Sequence, residues 1–372
     1  MGSACQHALR QGRIPYRHAR QRAPPHLGLY PKAPGRAPVI IFRTPYGTGP
    51  LRRGRVPQPG SEKGYLRSYV DRGYIIVQQD VRGRYMSEGE FMHVRPVGFG
   101  DVDEATDSYD TVEWLVKHIP GNNGRVGFAG SSYPGFYALM GALSGHPPVK
   151  AVSPQAPVTD WYMGDDVHHN GILMLSDAVR FLNSMNTPSG HTPTDRMPRR
   201  ELTFSPDDRT FFLEHPTRAD LTTLLAPNAF WEEMSGHPDY DEWWRARDTR
   251  RACYNIRPAM LVVGGTYDAE DCYGAWNLYR AVVRQSAQTP VHLVVGPWSH
   301  GAWRGDGRRL GTSTSARRLP DAITWSISRR RSSTATFGPA IRSIGCLPWR
   351  SSPRATTAGM RSVAGRPPGP AG

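Results

Sequence analysis

The chain has little cysteine, no long apolar run and almost no acid at either end. Its four cysteines, Cys5, Cys253, Cys272 and Cys346, are scattered over 372 residues with no CxxC spacing. So sparse a set excludes a disulfide-built scaffold and argues against redox chemistry. No stretch approaches the roughly 18 apolar residues of a membrane span, and the first twenty residues lack the apolar core of a secretory signal. Their Arg-rich, acid-free composition is shared with transit peptides but also arises by accident. A soluble, cytoplasmic chain with no membrane partner is expected, with a periplasmic or secreted location as the alternative. Acids are missing only from the ends. Residues 1–35 hold six Lys/Arg and no Asp or Glu, and residues 304–372 hold thirteen Arg against Asp306 and Asp321. The formal charge of +14 therefore leaves the middle of the chain at −3. A uniformly basic protein would suggest nucleic acid as a partner. With the charge confined to the ends, none is expected.

What the middle does contain is regular. "PVIIFRT" from Pro38, "YIIVQQDV" from Tyr74, "RVGFAG" from Arg125, "VKAVSPQAP" from Val149, "AMLVVGG" from Ala259 and "VHLVVGP" from Val291 are short β-branched runs. Continuous apolarity, rather than alternation, predicts strands covered on both faces. Between them, "SEKGYLRSYVDRG", "DEATDSYDTVEWLVKHI", "YPGFYALMGALSG" and "EDCYGAWNLYRAVVRQS" predict helices. Strands alternating with helices imply an α/β fold with a mostly parallel sheet. The expected organisation is a basic segment over 1–35, a core over 36–160 and 254–303, and an inserted helical cap over 161–253. The cap interval is rich in Trp, Met, His, Asp and Pro and includes "GILMLSDAVRFLNSM". Residues 304–372 are rich in Arg, Ser, Pro and Gly and show no sustained period. They read either as a disordered tail or as the product of a reading-frame shift in a GC-rich gene.

The chemistry gathers at strand ends. Strand "RVGFAG", the turn Ser131-Ser132-Tyr133-Pro134-Gly135 and the following helix form the context of a nucleophile elbow, where a strained turn lifts a serine hydroxyl above the sheet. Ser132 is the better nucleophile because Gly130 lies two residues before it. The second glycine, Gly135, falls one place later than in G-x-S-x-G, and an isolated match of this kind also fits a serine-rich helix cap. A serine needs a base, and a histidine base needs a carboxylate to fix its tautomer. Asp268 follows the strand "AMLVVGG" and His300 follows "VHLVVGP". The order Ser, Asp, His, each just past a strand, is that of α/β hydrolases. His146, at a helix end, and His292, within a strand, fit the role less well.

At these residues the chain resembles a known family. "VIIFRTPYG", "QQDVRGRYMSEGEF", "DTVEWLVKHIPGNNGRVGFAGSSYPGF", "YMGDDVHHNG", "GGTYDAEDCYG" and "VVGPWSHG" together resemble the cocaine-esterase-type, or X-prolyl dipeptidyl-peptidase, acyl hydrolases. Within that family the blocks are most similar to α-amino acid ester hydrolases and glutaryl-cephalosporin acylases. The likeness covers roughly residues 36–303. It implies an α/β-hydrolase fold with a cap, Ser132 as nucleophile, Asp268 as orienting acid and His300 as general base. It also implies two oxyanion donors, the Tyr133 peptide N–H and the Tyr46 phenol. Tyr46 rests on the resemblance alone. Finally, it implies that Asp166, Glu270 and Asp271 receive a substrate ammonium group. Each acid has a plainer reading: Glu270 and Asp271 open a predicted helix, and Asp165-Asp166 could form a turn. His168 and His169 lack a recognised ligand spacing, so no metal and no cofactor is expected. The chain departs from the family in showing no alternating strands after His300, so that the family's C-terminal jelly-roll is expected to be absent or corrupted, and no clear counterpart of the family's first strands within residues 1–30.

The expected function is a serine hydrolase that cleaves esters or amides through an acyl-enzyme, on small α-amino acid esters or β-lactam side-chain compounds. The alternatives are a cocaine-esterase-like esterase, an X-prolyl dipeptidyl peptidase and, from other classes, an inactive remnant or a basic-tailed binding module. The partner is then a small ester or amide, and a homo-oligomer is compatible with the sequence.

Overall fold

The computed structural model describes residues 26–29, 35–48, 66–185 except 86 and 99, 202, 204, 207–305, 309–310 and 313–314. Most of the two basic ends, and the start of the expected helix at "SEKGY", lie outside the described residues.

The strands are β1 (His26–Leu29), β2 (Ala37–Thr44), β3 (Ile75–Asp80), β4 (Asn122–Ser132) and β5 (Val149–Pro157), then β8 (Ala259–Gly265) and β9 (Val291–Gly296). They form one seven-stranded sheet in the order β1-β3-β2-β4-β5-β8-β9. Only β1 runs antiparallel, pairing His26 with Gln79. The other neighbours pair in parallel, for example Ile40 with Gly127 and Val263 with Val294. This is the α/β-hydrolase arrangement. Every residue of β3 and β8 is buried, as expected of strands covered on both faces, while β9 at the edge is partly exposed. β1 supplies a first strand that the sequence did not suggest.

Alternation within each strand sorts the core into two layers. Val39, Ile41, Val77 and Val262 pack on one face with Val112, Leu115, Phe136 and Leu278. Ile40, Phe42, Ile76, Leu261 and Val263 pack on the other with Leu66, Tyr69, Trp298 and Trp303. The second layer includes helix α1 (Arg67–Asp71) and the first includes α2 (Glu104–His118) and α3 (Tyr133–Leu143). Helix α2 starts where Asp103 accepts the Thr106 N–H at 2.7 Å and Thr106 returns a bond to the Asp103 N–H. The buried Arg43 of β2 ties this helix down through Ser108 Oγ (2.8 Å) and an ion pair with Glu104 (3.2 Å).

Between β5 and β8 the chain makes a small hairpin, β6 (His168–His169) and β7 (Ile172–Leu173), then helices α4 (Leu175–Met185), α5 (Asp208–Glu214), α6 (Arg218–Leu225), α7 (Ala229–Ser235) and α8 (Glu242–Arg247). The hairpin corrects the expectation that helix runs from Gly171, since α4 begins at Leu175. Asp207, Thr217, Asn228 and Asp241 each cap a short helix with a side-chain oxygen. Phe181 of α4 and Phe230 of α7 meet Trp161, His93 and Tyr133 in an aromatic cluster with centroid separations of 4.8–6.2 Å. That cluster joins this helical region to the first residue of α3. Helix α9 (Cys272–Gln285) then links β8 to β9. Beyond His300, within the expected tail, residues 309–310 and 313–314 form a minimal antiparallel pair, β10 and β11.

Candidate active site

The side chains singled out in the sequence converge where β2, β4, β8 and β9 end, the edge of a parallel sheet at which open α/β folds bind ligands. Ser132 closes β4 with φ 100° and ψ −122°, and α3 begins at the next residue. A serine at such a φ stores strain of order 1–3 kcal/mol, which persists only where the surroundings impose it. They do so here. A Cβ at Gly130 would collide with the Pro134 carbonyl, and one at Gly135 would lie 2.7 Å from the Gln155 carbonyl oxygen. The two glycines therefore let the strand and helix close around the serine, although their spacing departs by one from the usual motif. Ser131, its neighbour, remains in register with β5 opposite Gln155.

Tyr133 is fully buried, and as the first residue of α3 its N–H has no acceptor within the helix. Its phenol accepts the Val94 N–H at 2.8 Å and meets His93 Nδ1 at 3.2 Å. Burial, followed by the nearby Arg84 and Arg247, lowers the His93 pKa to about 3, so the ring is neutral. These two partners, which sequence reasoning missed, anchor the residue that follows Ser132.

Asp268 and His300 are paired. His300 Nδ1 lies 2.9 Å from Asp268 Oδ2 and 3.1 Å from Oδ1. Burial would raise the Asp268 pKa, but the His300 bond and charge, with the Asp271 and Glu270 N–H groups, bring it below its ordinary value. Burial likewise opposes the charge on His300. Its pKa is nevertheless raised, by the Asp268 bond and charge and then by Glu270 and Asp166.

Ser132 does not bond to this imidazole. Its Oγ donates to Asp271 Oδ2 at 3.0 Å, and Asp271 Oδ2 is itself 4.0 Å from His300 Nδ1. His300 Nε2 lies 3.6 Å from Glu270 Oε2. Asp271 Oδ2 thus lies close to both the serine hydroxyl and the imidazole.

The acid pairs resolve differently from their plain readings. Asp165 is the turn former. It accepts the Thr159 N–H (2.8 Å), the Thr159 hydroxyl (2.9 Å), the Asp160 N–H (3.0 Å) and the Gly274 N–H (2.6 Å). Asp166, at φ 44°, instead accepts the Trp161 indole N–H (3.0 Å) and sits near His300 and Glu270. At the start of α9, Asp268 accepts the Glu270 and Asp271 N–H groups at 2.9 and 3.0 Å. Asp271 makes no cap, and its carboxylate is free to face Ser132. Burial raises Asp166 to about 6, helped by Glu270, and raises Asp271 well above its ordinary value, helped by Asp166, Asp165 and Asp268. Glu270 is raised by burial as well, although half its side chain is exposed. Asp271 Oδ1 is buried with no hydrogen-bond partner.

Tyr46 stands opposite, two residues past β2. Its ring is 44 % exposed and meets Tyr133 edge-on at 6.3 Å. Although the residue is partly exposed, burial around its hydroxyl and then Asp166, Tyr133, Asp271 and Glu270 raise its pKa well above the ordinary tyrosine value. The phenol is therefore a neutral donor. Arg84 fixes its turn, donating to the Pro45 carbonyl (2.9 Å) and to the Met185 carbonyl at the end of α4 (2.8 Å). His168 is a core residue, bonded through Nδ1 to the Trp161 carbonyl and stacked on Tyr162. Among the described residues, no group of three or more His, Cys, Asp or Glu is placed to hold a metal ion, and no helix is long and apolar enough to cross a membrane.

Comparison with known proteins gives this arrangement a setting. The cocaine esterase of Rhodococcus sp. (strain MB1 Bresler) is 27 % identical over 283 residues, which cover 74 % of this chain and 46 % of that protein. Among solved structures, an aminopeptidase from a marine sediment Thaumarchaeota archaeon superposes with a TM-score of 0.69 at 32 % identity, covering 78 % of this chain and 48 % of that one. An α-amino acid ester hydrolase superposes with a TM-score of 0.68 at 30 % identity over the same shares. The chain spans about half the length of these relatives. The sequence model of the X-Pro dipeptidyl-peptidase (S15) family matches residues 28–302, from β1 to just past His300, and the chain belongs to that family.

Proposed function

We propose that this chain carries the catalytic centre of a serine acyl hydrolase acting on small esters or amides with a free α-amino group. Residues 161–253 form its cap in this reading. Ser132 attacks the carbonyl carbon, and its proton passes to His300 Nε2. The tetrahedral oxyanion is held by the Tyr133 N–H and the Tyr46 hydroxyl. His300 then returns the proton to the leaving alcohol or amine, and water releases the acyl group from Ser132 by the same route. Asp268 orients the ring and stabilises the imidazolium. The observation that carries the reading is a serine strained to φ 100° at a strand-to-helix junction beside a His300–Asp268 pair bonded at 2.9 Å.

The α-amino preference is supported by the buried, unpartnered Oδ1 of Asp271 with Asp166 and Glu270 beside it. A cation placed among carboxylates whose charged forms are disfavoured by burial and mutual repulsion relieves that repulsion. An ester hydrolase and an X-Pro dipeptidyl peptidase would both present such a group, the second at a peptide N-terminus. Stoichiometric labelling of Ser132 by a fluorophosphonate tests the nucleophile. Comparing kcat/KM for an amino acid ester with its deamino analogue, in wild type and in Asp166→Asn, tests the pocket. A ratio unchanged by Asp166→Asn removes the ammonium assignment and leaves a plain esterase. The same pair of substrates offered as X-Pro amides separates peptidase from esterase.

A further inference from the structure

The hydroxyl of Ser132 is held by the wrong partner for catalysis. It donates to Asp271 Oδ2 at 3.0 Å, while His300 commits Nδ1 to Asp268 and keeps Nε2 3.6 Å from Glu270 Oε2. Acyl transfer needs the serine proton on an imidazole that can deliver it to the leaving group. Asp271 is fully buried, and its Oδ2 lies 4.0 Å from His300 Nδ1, the nitrogen already bonded to Asp268 rather than the one that must carry the proton. The same residue leaves Oδ1 without a hydrogen-bond partner.

We propose that the substrate's α-ammonium group arms the nucleophile: by taking over the Asp271 carboxylate it releases Ser132 Oγ to turn toward His300. This rests on the ammonium-pocket reading above. The exchange follows from the donors involved. Ser132 offers Asp271 one neutral O–H, whereas an ammonium offers three N–H donors and a full positive charge in a buried site, where two-charge hydrogen bonds exceed those with one ionised partner. The ammonium also pairs with Glu270, drawing it from His300 Nε2 and clearing the nitrogen that must receive the proton. Recognition and activation thus use the same carboxylates. A substrate without an α-amino group meets a serine still bonded to Asp271, so discrimination appears in kcat rather than KM.

The test separates binding from arming. Fluorophosphonate labelling forms a bond from Ser132 Oγ to phosphorus as the P–F bond breaks, with fluoride leaving and the serine proton passing to His300. Its second-order rate on the full chain is measured with ethylammonium, with tetramethylammonium, which has no N–H donors, and with neutral n-propanol. Ethylammonium is expected to raise the rate about tenfold or more, the equivalent of at least about 1.4 kcal/mol. The other two additives should leave it unchanged. In Asp271→Ala the basal rate should already be raised and ethylammonium should add nothing. A saturable ethylammonium-dependent rise in Tm without faster labelling overturns the arming step and leaves the pocket standing. No such rise in Tm, and no acceleration, overturns both. Because the wild-type measurement decides the matter alone, the proposal stays falsifiable if Asp271→Ala fails to fold.

Discussion

Replacing Tyr46 by Phe removes one oxygen and little else, which makes it the sharpest test of how the site stabilises charge. The ring contact with Tyr133 at 6.3 Å survives, as does the Arg84 bond to the Pro45 carbonyl that sets the turn. The side chain is 44 % exposed, so no cavity is created in the core, and stability should move by no more than about 0.5 kcal/mol. Removing one positioned oxyanion donor costs about 100- to 1000-fold in kcat, or about 2.7–4 kcal/mol. The acids around Tyr46 bear on the size of the effect. Burial first, and then these acids, raise its pKa well above 10.0, so the wild-type hydroxyl stays protonated through any practical pH range and the loss should not depend on pH. The assay is hydrolysis of a p-nitrophenyl ester of an amino acid at saturating and limiting concentration. We expect kcat to fall at least about 100-fold with KM changed by less than about threefold. A fall of less than about fivefold in kcat, in a protein with wild-type Tm, would refute the oxyanion role and leave Tyr46 as a turn residue.

The remaining tests concern the ring's titration, the Asp165 turn and the cap of α2. His300 must be neutral to accept a proton and its pKa is raised above 6.5, so kcat/KM should climb with pH to a plateau whose midpoint lies above that value; Asp268→Asn should move the midpoint down and lower kcat by about 10⁴. For stability the sign is the opposite: the protonated ring is favoured in the folded state, so its contribution is complete below about 6.5 and declines as pH passes the raised value, visible as a falling Tm relative to His300→Ala. Asp165→Asn turns one acceptor into a donor against the Thr159, Asp160 and Gly274 N–H groups, and should cost about 1–3 kcal/mol or more in urea unfolding; an unchanged midpoint would show that the turn is held otherwise. Asp103→Ala removes the cap of α2, 2.7 Å from the Thr106 N–H, and should cost about 1 kcal/mol with kcat unaffected.

What could be read in the chain depended on whether a feature is carried by periodicity or by direction. Strands β2 to β5 and β8 are visible as continuous apolar runs because helices and loops bury both faces, β9 is apolar although it is partly exposed at the edge, and β5 and β8 match their expected spans residue for residue. β1 is four residues, "HLGL", with no period of its own, and exists because the open edge of β3 pairs with it. The β6–β7 hairpin did leave a signal in Asn170-Gly171, the dipeptide that favours a two-residue turn, and both residues take the positive φ that turn demands. The apolar residues that follow, Ile172 to Leu175, hid it by blending into the helix beyond. In the site, strand ends located Ser132, Asp268 and His300 because a parallel sheet delivers every such loop to one edge. Hydrogen-bond partners had no comparable signal. Asp165 and Asp166 are neighbours in sequence, yet one faces four donors in a turn and the other faces the cleft, a choice made by the φ of 44° at Asp166. Asp268 and Asp271 both precede α9, and because Asp268 takes the N–H groups there, Asp271 is left to reach Ser132. The first choice turns on the backbone angle at Asp166 and the second on which side chain takes the N–H groups opening α9, so residue types located the acids while only coordinates could say which carboxylate holds the serine.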